Sequence, residues 1–205
     1  MNIGILLFGE PSSDRYANVE EIEAALRKQG HEPLRIYESK LTVGYIGDVL
    51  SVSHAGNPLL KLDALIVRPN FTEEPGLHVS TLHIFSRLKI PMLNGHPDTF
   101  IAKNKIAQHE LFSRENIPMP YWVVARSSER ALEAAQELKF PVILKVAFGT
   151  HGKGVFFADS SETLLPIADY LAVRDKNPFI VEECILEAGR SDIRVFVLDG
   201  SVNCF

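Results

Sequence analysis

The sequence predicts an α/β protein with a doubly wound N-terminal domain, a following α+β module and a short final segment. Two observations carry this prediction. Over the first part of the chain, apolar runs alternate with helical patterns, which is typical of a parallel sheet covered by helices. The order then changes to strand, helix, strand, strand, helix, strand, which indicates an α+β module. The predicted domain boundaries are 1–97, 98–184 and 185–205.

Composition narrows the class of function. The 205 residues are 46% hydrophobic and 23% charged, which is ordinary for a globular protein. A formal charge of -5 argues against a broad nucleic-acid-binding surface. Cys184 and Cys204 are too far apart for a metal-type pair, so we expect free thiols in a cytoplasmic protein. No apolar run approaches the roughly 20 residues that span a bilayer, so no membrane partner is expected.

The first domain is predicted from its apolar strands and the helices between them. Asn18 is expected to cap the first helix, with Glu21 completing a capping box, and Gly30 to end it. A second helix is expected around Leu82 and Phe85. Residues 41–60 contain three glycines and are expected to be irregular, with room for a short hairpin within them. The predicted strands cover residues 3–8, 34–37, 64–67 and 90–94.

Arg68 follows the predicted strand 64–67. In an open α/β sheet, the carboxyl ends of the strands face the ligand crevice, so Arg68 is a candidate substrate contact. A surface ion pair is the alternative interpretation.

The second module is predicted from the start signals of three helices and from the places between them where the helical pattern is interrupted. We expect one helix over 98–116, capped by Asp98, with Ile101 and Lys105 on one face. Ser128 and Ser161 are expected to cap two further helices. Strands are predicted over 121–125 and 179–185, and a hairpin over 142–157.

A glycine-rich loop joins the two strands of that hairpin. Gly149, Gly152 and Gly154 lie within six residues, just after the strand that contains Lys145. Glycines let a backbone approach a ligand closely, and N–H groups freed in such a loop bind phosphate oxygens. The residues do not fit a P-loop, which needs Ser or Thr after its lysine, where this chain has Gly154. The loop alone leaves a phosphate-binding flap and an ordinary glycine-rich turn about equally open.

The last residues read as a hairpin. Strands are predicted over 192–197 and 201–205, with a turn at Asp199 and Gly200. A lone hairpin is marginally stable without partners, so we expect the chain to end inside a domain.

Taken in order, the motifs resemble those of the ATP-grasp superfamily, and within it the RimK-like ligases. The resemblance rests on Lys145 with the glycine loop, on Glu182-Glu183-Cys184, and on Asp192-Ile193-Arg194-Val195. The segment from Asn104-Lys105 to the prolines at 118 and 120 resembles the family's first ATP-contacting helix and the turn after it. The resemblance implies a pre-ATP-grasp domain, an ATP-grasp lid domain and the start of an incomplete C-terminal ATP-grasp domain.

The resemblance implies a role for each matched residue. Lys105 and Lys145 are expected to contact the ATP phosphates, although Lys103 is an alternative to Lys105. The backbone of Glu183 and Cys184 is expected to bind the adenine edge, and Glu182 or Glu183 the ribose or adenine. Asp192 matches an aspartate of the nucleotide site, with an ion pair as its alternative. Catalytic residues are not assigned, and His151 at the loop tip is only a weak candidate. The full ATP-binding set is Lys105, Lys145, Gly149, Thr150, Gly152, Gly154, Glu182, Glu183, Cys184 and Asp192.

The reaction implied is ATP-dependent ligation of a carboxylate to an amine through an acylphosphate, with ATP and Mg²⁺ as cofactors. The substrates expected are an amino acid such as glutamate and a carboxylate on a protein or a small molecule. The resemblance also implies that the Mg²⁺ ligands belong to a part of the family's chain beyond residue 205, so we expect no metal ligand in this chain and an inactive fragment. The alternatives are a glutathione-synthetase-like or amino-acid-biosynthetic ligase and a non-catalytic nucleotide-binding module. The protein is also open to assembly as a homo-oligomer, because the sequence does not determine its oligomeric state.

Overall fold

The computed structural model describes residues 1–8, 18–59, 61–69, 75–149, 152–189, 193, 195–198 and 201–204. The chain divides into two compact units. The first comprises Met1–Gln108 and Phe148–His151, and the second His109–Ala147 and Gly152–Phe205. The boundaries predicted at 97 and 184 stay predictions. No helix in the described ranges is both long and apolar enough to cross a membrane.

The elements follow the predicted alternation closely. The helices are α1 Val19–Lys28, α2 Pro75–Arg87, α3 Asp98–Lys103, α4 Lys105–Arg114, α5 Ser128–Leu138 and α6 Ser161–Tyr170. The strands are β1 Asn2–Leu7, β2 Glu32–Tyr37, β3 Leu41–Ile46, β4 Val49–His54, β5 Asn57–Pro58, β6 Ala64–Arg68, β7 Met92–Leu93, β8 Trp122–Ala125, β9 Val142–Val146, β10 Val155–Ala158, β11 Phe179–Glu183, β12 Val195–Leu198 and β13 Ser201–Cys204.

The first unit is built on a parallel sheet with the strand order β2-β1-β6-β7. Successive side chains of a strand point to opposite faces, and the core follows that alternation. Ile5 and Leu7 pack with Val19 of α1, whereas Leu6 packs with Leu82 of α2. Helices therefore cover both faces, which confirms the doubly wound prediction.

Residues 41–60 are more regular than expected. The predicted hairpin exists as β3 and β4, and β5 adds a third antiparallel strand. Gly47 and Gly56 both have positive φ, at 61° and 79°, and each lies in the turn after one of the strands. The expectation of an irregular segment was therefore wrong, because two of its glycines serve as turn residues between regular strands.

The helix predicted over 98–116 is in fact two helices. It breaks at Asn104, whose φ of -98° and ψ of 107° are extended. The Asn104 side chain then caps α4, because its Oδ1 accepts hydrogen bonds from the N–H groups of Ile106 at 3.0 Å and Ala107 at 3.3 Å. Ile101 and Lys105 consequently lie on different helices and do not share a face as predicted.

Four predicted helix caps are also corrected. Asp98 is the first residue of α3 instead of its cap. Ser127 caps α5 and Ser160 precedes α6, so each helix begins at the serine that was expected to cap it, and the cap position lies one residue earlier. Asn18 precedes α1 but makes no side-chain cap. Its Oδ1 instead accepts a hydrogen bond from Arg68, so a tertiary contact has displaced the local one.

The second unit contains an antiparallel sheet with the order β10-β9-β11-β8. Helices α5 and α6 share its core, where Ala131, Ala135 and Leu164 are fully buried beside Leu144 and Val181 of the sheet. This arrangement confirms the predicted α+β module. The final hairpin is also present, as β12 paired with β13 in antiparallel register.

Candidate functional site

The glycine-rich loop begins and ends at strands whose pairing fixes its base. Lys145 on β9 lies opposite Val155 on β10. Gly154 has a φ of +77°, and its carbonyl accepts a hydrogen bond of 3.0 Å from the N–H of Val146. A Cβ atom at this position would lie only 2.3 Å from Cγ2 of Val146. A glycine is therefore required at position 154, because the backbone has a positive φ there and because β9 leaves no room for a Cβ atom.

Lys145 is held by a carboxylate on the neighbouring strand. Its Nζ donates a hydrogen bond to Oε1 of Glu182, which lies near the end of β11. The Lys145 side chain is 24% exposed, whereas that of Glu182 is only 6% exposed. A lysine flanked by apolar strand residues needs a partner when it is buried, and Glu182 is that partner. Glu182 is therefore a buried, ion-paired carboxylate and not an exposed one at the strand end.

His109 is a member of this cluster that the sequence did not reveal. It lies on α4, and its Nε2 is 2.8 Å from Oε2 of Glu182. Its ring also makes a T-shaped contact with that of Trp122, with 5.2 Å between the ring centres and 76° between the ring planes. No motif marks His109 in the sequence, and α4 lacks a clear apolar face that would have predicted its burial. Only the packing of α4 against the sheet brings it to Glu182.

The charge of Glu182 follows from its two donors. Burial acts to raise the pKa of Glu182, but hydrogen bonds from His109 and Lys145 oppose it, and the net result is a pKa below the usual value. Glu182 is therefore a carboxylate at neutral pH. Because a carboxylate can only accept, Nε2 of His109 must carry the hydrogen of their hydrogen bond.

Glu183 and Cys184 continue from this cluster at the end of β11. The N–H of Glu183 donates to the carbonyl of Tyr121 at 2.9 Å. The Glu183 carboxylate accepts a longer bond of 3.4 Å from the N–H of Tyr121. The N–H of Glu183 is used by its hydrogen bond to Tyr121. A ligand at this position would therefore be bound through the carbonyl of Glu183 and the N–H of Cys184. The Cys184 thiol is half-buried and free.

Lys105 contacts the other end of the glycine loop. Its Nζ donates to the carbonyl of Gly149 at 3.3 Å, within the first unit. Phe148, just before Gly149, packs against the core of that unit, with its ring 5.9 Å from that of Phe100. Lys103 is exposed at the end of α3. Of the two lysines, Lys105 is therefore the one that reaches the loop.

Arg68 lies at the carboxyl end of β6, as predicted. Its Nη2 donates to Oδ1 of Asn18 at 3.2 Å. The alternative of a surface ion pair is not found within the described ranges.

The remaining predicted residues have no structural account. Thr150, His151 and Asp192 lie outside the described residues. Within the ranges that are described, no group of three or more His, Cys, Asp or Glu side chains could hold a metal ion.

Comparison with known proteins connects this geometry to one family. Residues 102–204 match the RimK-like ATP-grasp domain. The chain is 32% identical over 148 residues to a probable alpha-L-glutamate ligase of Mannheimia succiniciproducens, covering 72% of this chain and 49% of that protein. It is 30% identical over 175 residues to the alpha-aminoadipate–LysW ligase LysX of Sulfurisphaera tokodaii, covering 84% of this chain and 58% of that protein. The chain thus spans about half of the length of these relatives.

The fold is also found in a crystal structure. An ATP-grasp RimK domain protein from Sphaerobacter thermophilus superposes with a TM-score of 0.68 at 18% identity, covering 90% of this chain and 64% of that one. At this sequence identity, the structural similarity supports the fold alone. Together, these comparisons confirm the predicted fold class and the resemblance that the motifs indicated.

Proposed function

Because the chain belongs to the RimK-like ATP-grasp family, we propose that its protein is an ATP-dependent carboxylate–amine ligase. A substrate carboxylate attacks the γ-phosphate of ATP, and ADP leaves to give an acylphosphate. An amine then attacks the acyl carbon, and phosphate leaves. The observation that carries this proposal is the Lys145 ammonium, which the buried Glu182 holds at the base of the glycine hairpin.

Two lysines provide the positive charge in the proposed site. Phosphoryl transfer depends mainly on positioning and on neutralising phosphate charge, and fixed ammonium groups do both. Lys145 is fixed by Glu182, and Lys105 by the carbonyl of Gly149. We assign both to the ATP phosphates, which the backbone of the glycine loop covers through Gly149, Thr150, Gly152 and Gly154.

The adenine is assigned to the end of β11. There, the Glu183 carbonyl and the Cys184 N–H offer one acceptor and one donor, because the Glu183 N–H already serves the sheet. An adenine edge presents a matching donor and acceptor. The Glu183 carboxylate and Asp192 are assigned to the ribose or the base.

The substrates belong to the proposal as well. One relative is named as an alpha-L-glutamate ligase, which favours glutamate as the amino acid that is added. The second relative is named as an alpha-aminoadipate–LysW ligase, so we retain an amino-acid-biosynthetic ligase as the second candidate. Arg68 is assigned to a substrate carboxylate. The acceptor is a protein or small-molecule carboxylate, and a homo-oligomer is the proposed assembly.

In the proposed function, Mg²⁺ is bound together with ATP. Mg²⁺ neutralises phosphate charge when it is bound. The described residues do not form a cluster that fits the ion, so we assign it no ligand within them.

Calorimetric titration with Mg·ATP tests the nucleotide site. We expect binding by the 205-residue chain and a Kd about 30-fold higher for Lys145→Ala, since a hydrogen bond to a charged group is worth about 2 kcal/mol. Lys28→Ala is the matched control, because Lys28 is an exposed lysine at the end of α1. It should bind as the parent does.

The acylphosphate is tested by isotope transfer. With an acceptor carboxylate labelled with ¹⁸O, one label should appear in the released phosphate, and ADP should accumulate. Release of AMP and pyrophosphate would contradict the proposed chemistry. Tight binding of Mg·ATP without any turnover would fit both the inactive fragment that was expected and a nucleotide-binding module, whereas a folded chain that does not bind at all would refute the nucleotide site.

A further inference from the structure

His109 is the buried group that the proposed function leaves without a role. Its side chain is 11% exposed, and it lies between the Glu182 carboxylate and the Trp122 ring. Buried histidines of this kind can be purely structural. Its contact with Glu182, however, places it one side chain away from the lysine assigned to phosphate.

The contacts form a chain of three side chains from three elements. Glu182 on β11 uses Oε1 for Lys145 on β9 and Oε2 for His109 on α4. A carboxylate with one donor on each oxygen cannot rotate without losing one of them. The position of the Lys145 ammonium is therefore set by two groups, the Glu182 carboxylate and the His109 N–H that fixes it.

We propose that His109 is a positioning residue, which fixes Lys145 for phosphate through Glu182. The role in nucleotide binding rests on the function proposed above. Without the Nε2–H donor, Oε2 of Glu182 is left buried without that partner, and the carboxylate can reorient together with the ammonium that it holds. Binding of ATP must then restore the ammonium to its place, and the cost appears as a weaker affinity.

The contact with Trp122 gives a reason for an imidazole ring, and not a flexible side chain, at position 109. Its edge-to-face contact with His109 fixes the plane of the imidazole, and its own Nε1 donates to Oγ of Ser113 at 3.1 Å on the same helix. The indole is therefore fixed as well. The ring contact constrains where Nε2 points, which a flexible donor would not achieve by itself.

Two amide substitutions separate this role from a structural one. In His109→Gln, the side-chain nitrogen can reach the place of Nε2, whereas the shorter His109→Asn stops near the place of Nδ1. Both replace the ring with an amide, so their loss of packing is similar. We expect the Kd for Mg·ATP to rise about tenfold in His109→Asn and to stay within about threefold of the parent in His109→Gln, the tenfold corresponding to about 1.4 kcal/mol. Equal affinities in the two variants, with both folded, would overturn the proposal.

A double-mutant cycle on unfolding tests the link to Lys145 without any nucleotide. His109→Asn and Lys145→Met are made singly and together, and the unfolding constants are measured in urea. Members of one network are coupled, so the joint effect should depart from the product of the single effects by about fivefold or more. Strictly multiplicative effects would mean that His109 does not act on Lys145.

The two experiments fail in different ways. If the parent does not bind Mg·ATP, the proposed function fails, and the unfolding cycle still decides whether His109 positions Lys145. If the parent binds and Lys145→Ala weakens binding, but the Gln and Asn variants match each other, only the role of His109 is refuted.

Discussion

The closeness of Gly154 to β9 makes one substitution unusually informative. In Gly154→Ala, the new Cβ would lie 2.3 Å from Cγ2 of Val146, and the residue would keep a φ of +77°. Val146 cannot easily yield. It is β-branched with a stiff χ1, and its N–H is bonded to the carbonyl of Gly154 at 3.0 Å.

The expected loss of stability has two parts. A left-handed backbone costs a residue with a Cβ about 1–2 kcal/mol. Overpacking against a constrained side chain costs about 1–3 kcal/mol. Together they predict that Gly154→Ala lowers the free energy of unfolding by about 3 kcal/mol. Gly152→Ala is the matched control, because Gly152 has a φ of +72° but no described atom within 4 Å of its Cβ. It should lose only the first part, about 1–2 kcal/mol.

Urea unfolding followed by the fluorescence of Trp122 measures both variants. Trp122 is the single tryptophan and lies in the same unit as the glycines, so it reports the unit that the substitutions affect. Val146→Ala combined with Gly154→Ala should recover part of the loss, because it removes the methyl group that the new Cβ meets. The reasoning is refuted if Gly152→Ala and Gly154→Ala are equally destabilised, or if Val146→Ala adds its full cost to the double variant.

Two further predictions concern the contacts around the site. The pKa of Glu182 is lowered in the folded state, so its stabilising effect is complete above the unfolded pKa and is lost as the pH falls through the folded pKa. The free energy of unfolding should therefore decrease when the pH is lowered beneath about 4.5. This decrease should be less steep in Glu182→Gln. Parallel pH profiles of the two proteins would contradict this assignment. Asn104→Ala should lose about 1 kcal/mol of stability through the lost cap of α4, whereas Asn104→Asp should keep most of it, as thermal unfolding would show. Equal losses in both Asn104 variants would mean that the cap contributes little.

Outside residues 41–60 and 98–116, the sequence by itself determined the order of elements, and it also determined the position of the glycine hairpin. Apolar runs such as that of β1 alternate with helices, and this period is visible without any tertiary information. The need of Lys145 for a partner was also foreseeable, because an ammonium among apolar strand residues is costly unless it is paired. The family resemblance rested on the likeness of several motifs, taken in order, to those of a known family, and it is confirmed by the match over 102–204.

Local signals were less reliable where two of them competed. Asn18 has the chemistry of a helix cap, yet Arg68, fifty residues away, takes its oxygen. Asn104 has the same chemistry and does cap α4, which breaks a helix that the pattern had predicted to be continuous. A side chain with two available partners is assigned by the free energy of the whole fold, which a local pattern does not contain.

Tertiary structure alone decided the partners of the buried charges. Glu182 and Lys145 are 37 residues apart, and His109 and Glu182 are 73 apart. Pairing of β9 with β11 places Lys145 beside Glu182, and the packing of α4 adds His109 to the other oxygen. No spacing rule connects residues so distant along the chain. The sequence specified only that Lys145 needed a partner, and the folded sheet and helix determined that Glu182 and His109 complete the cluster.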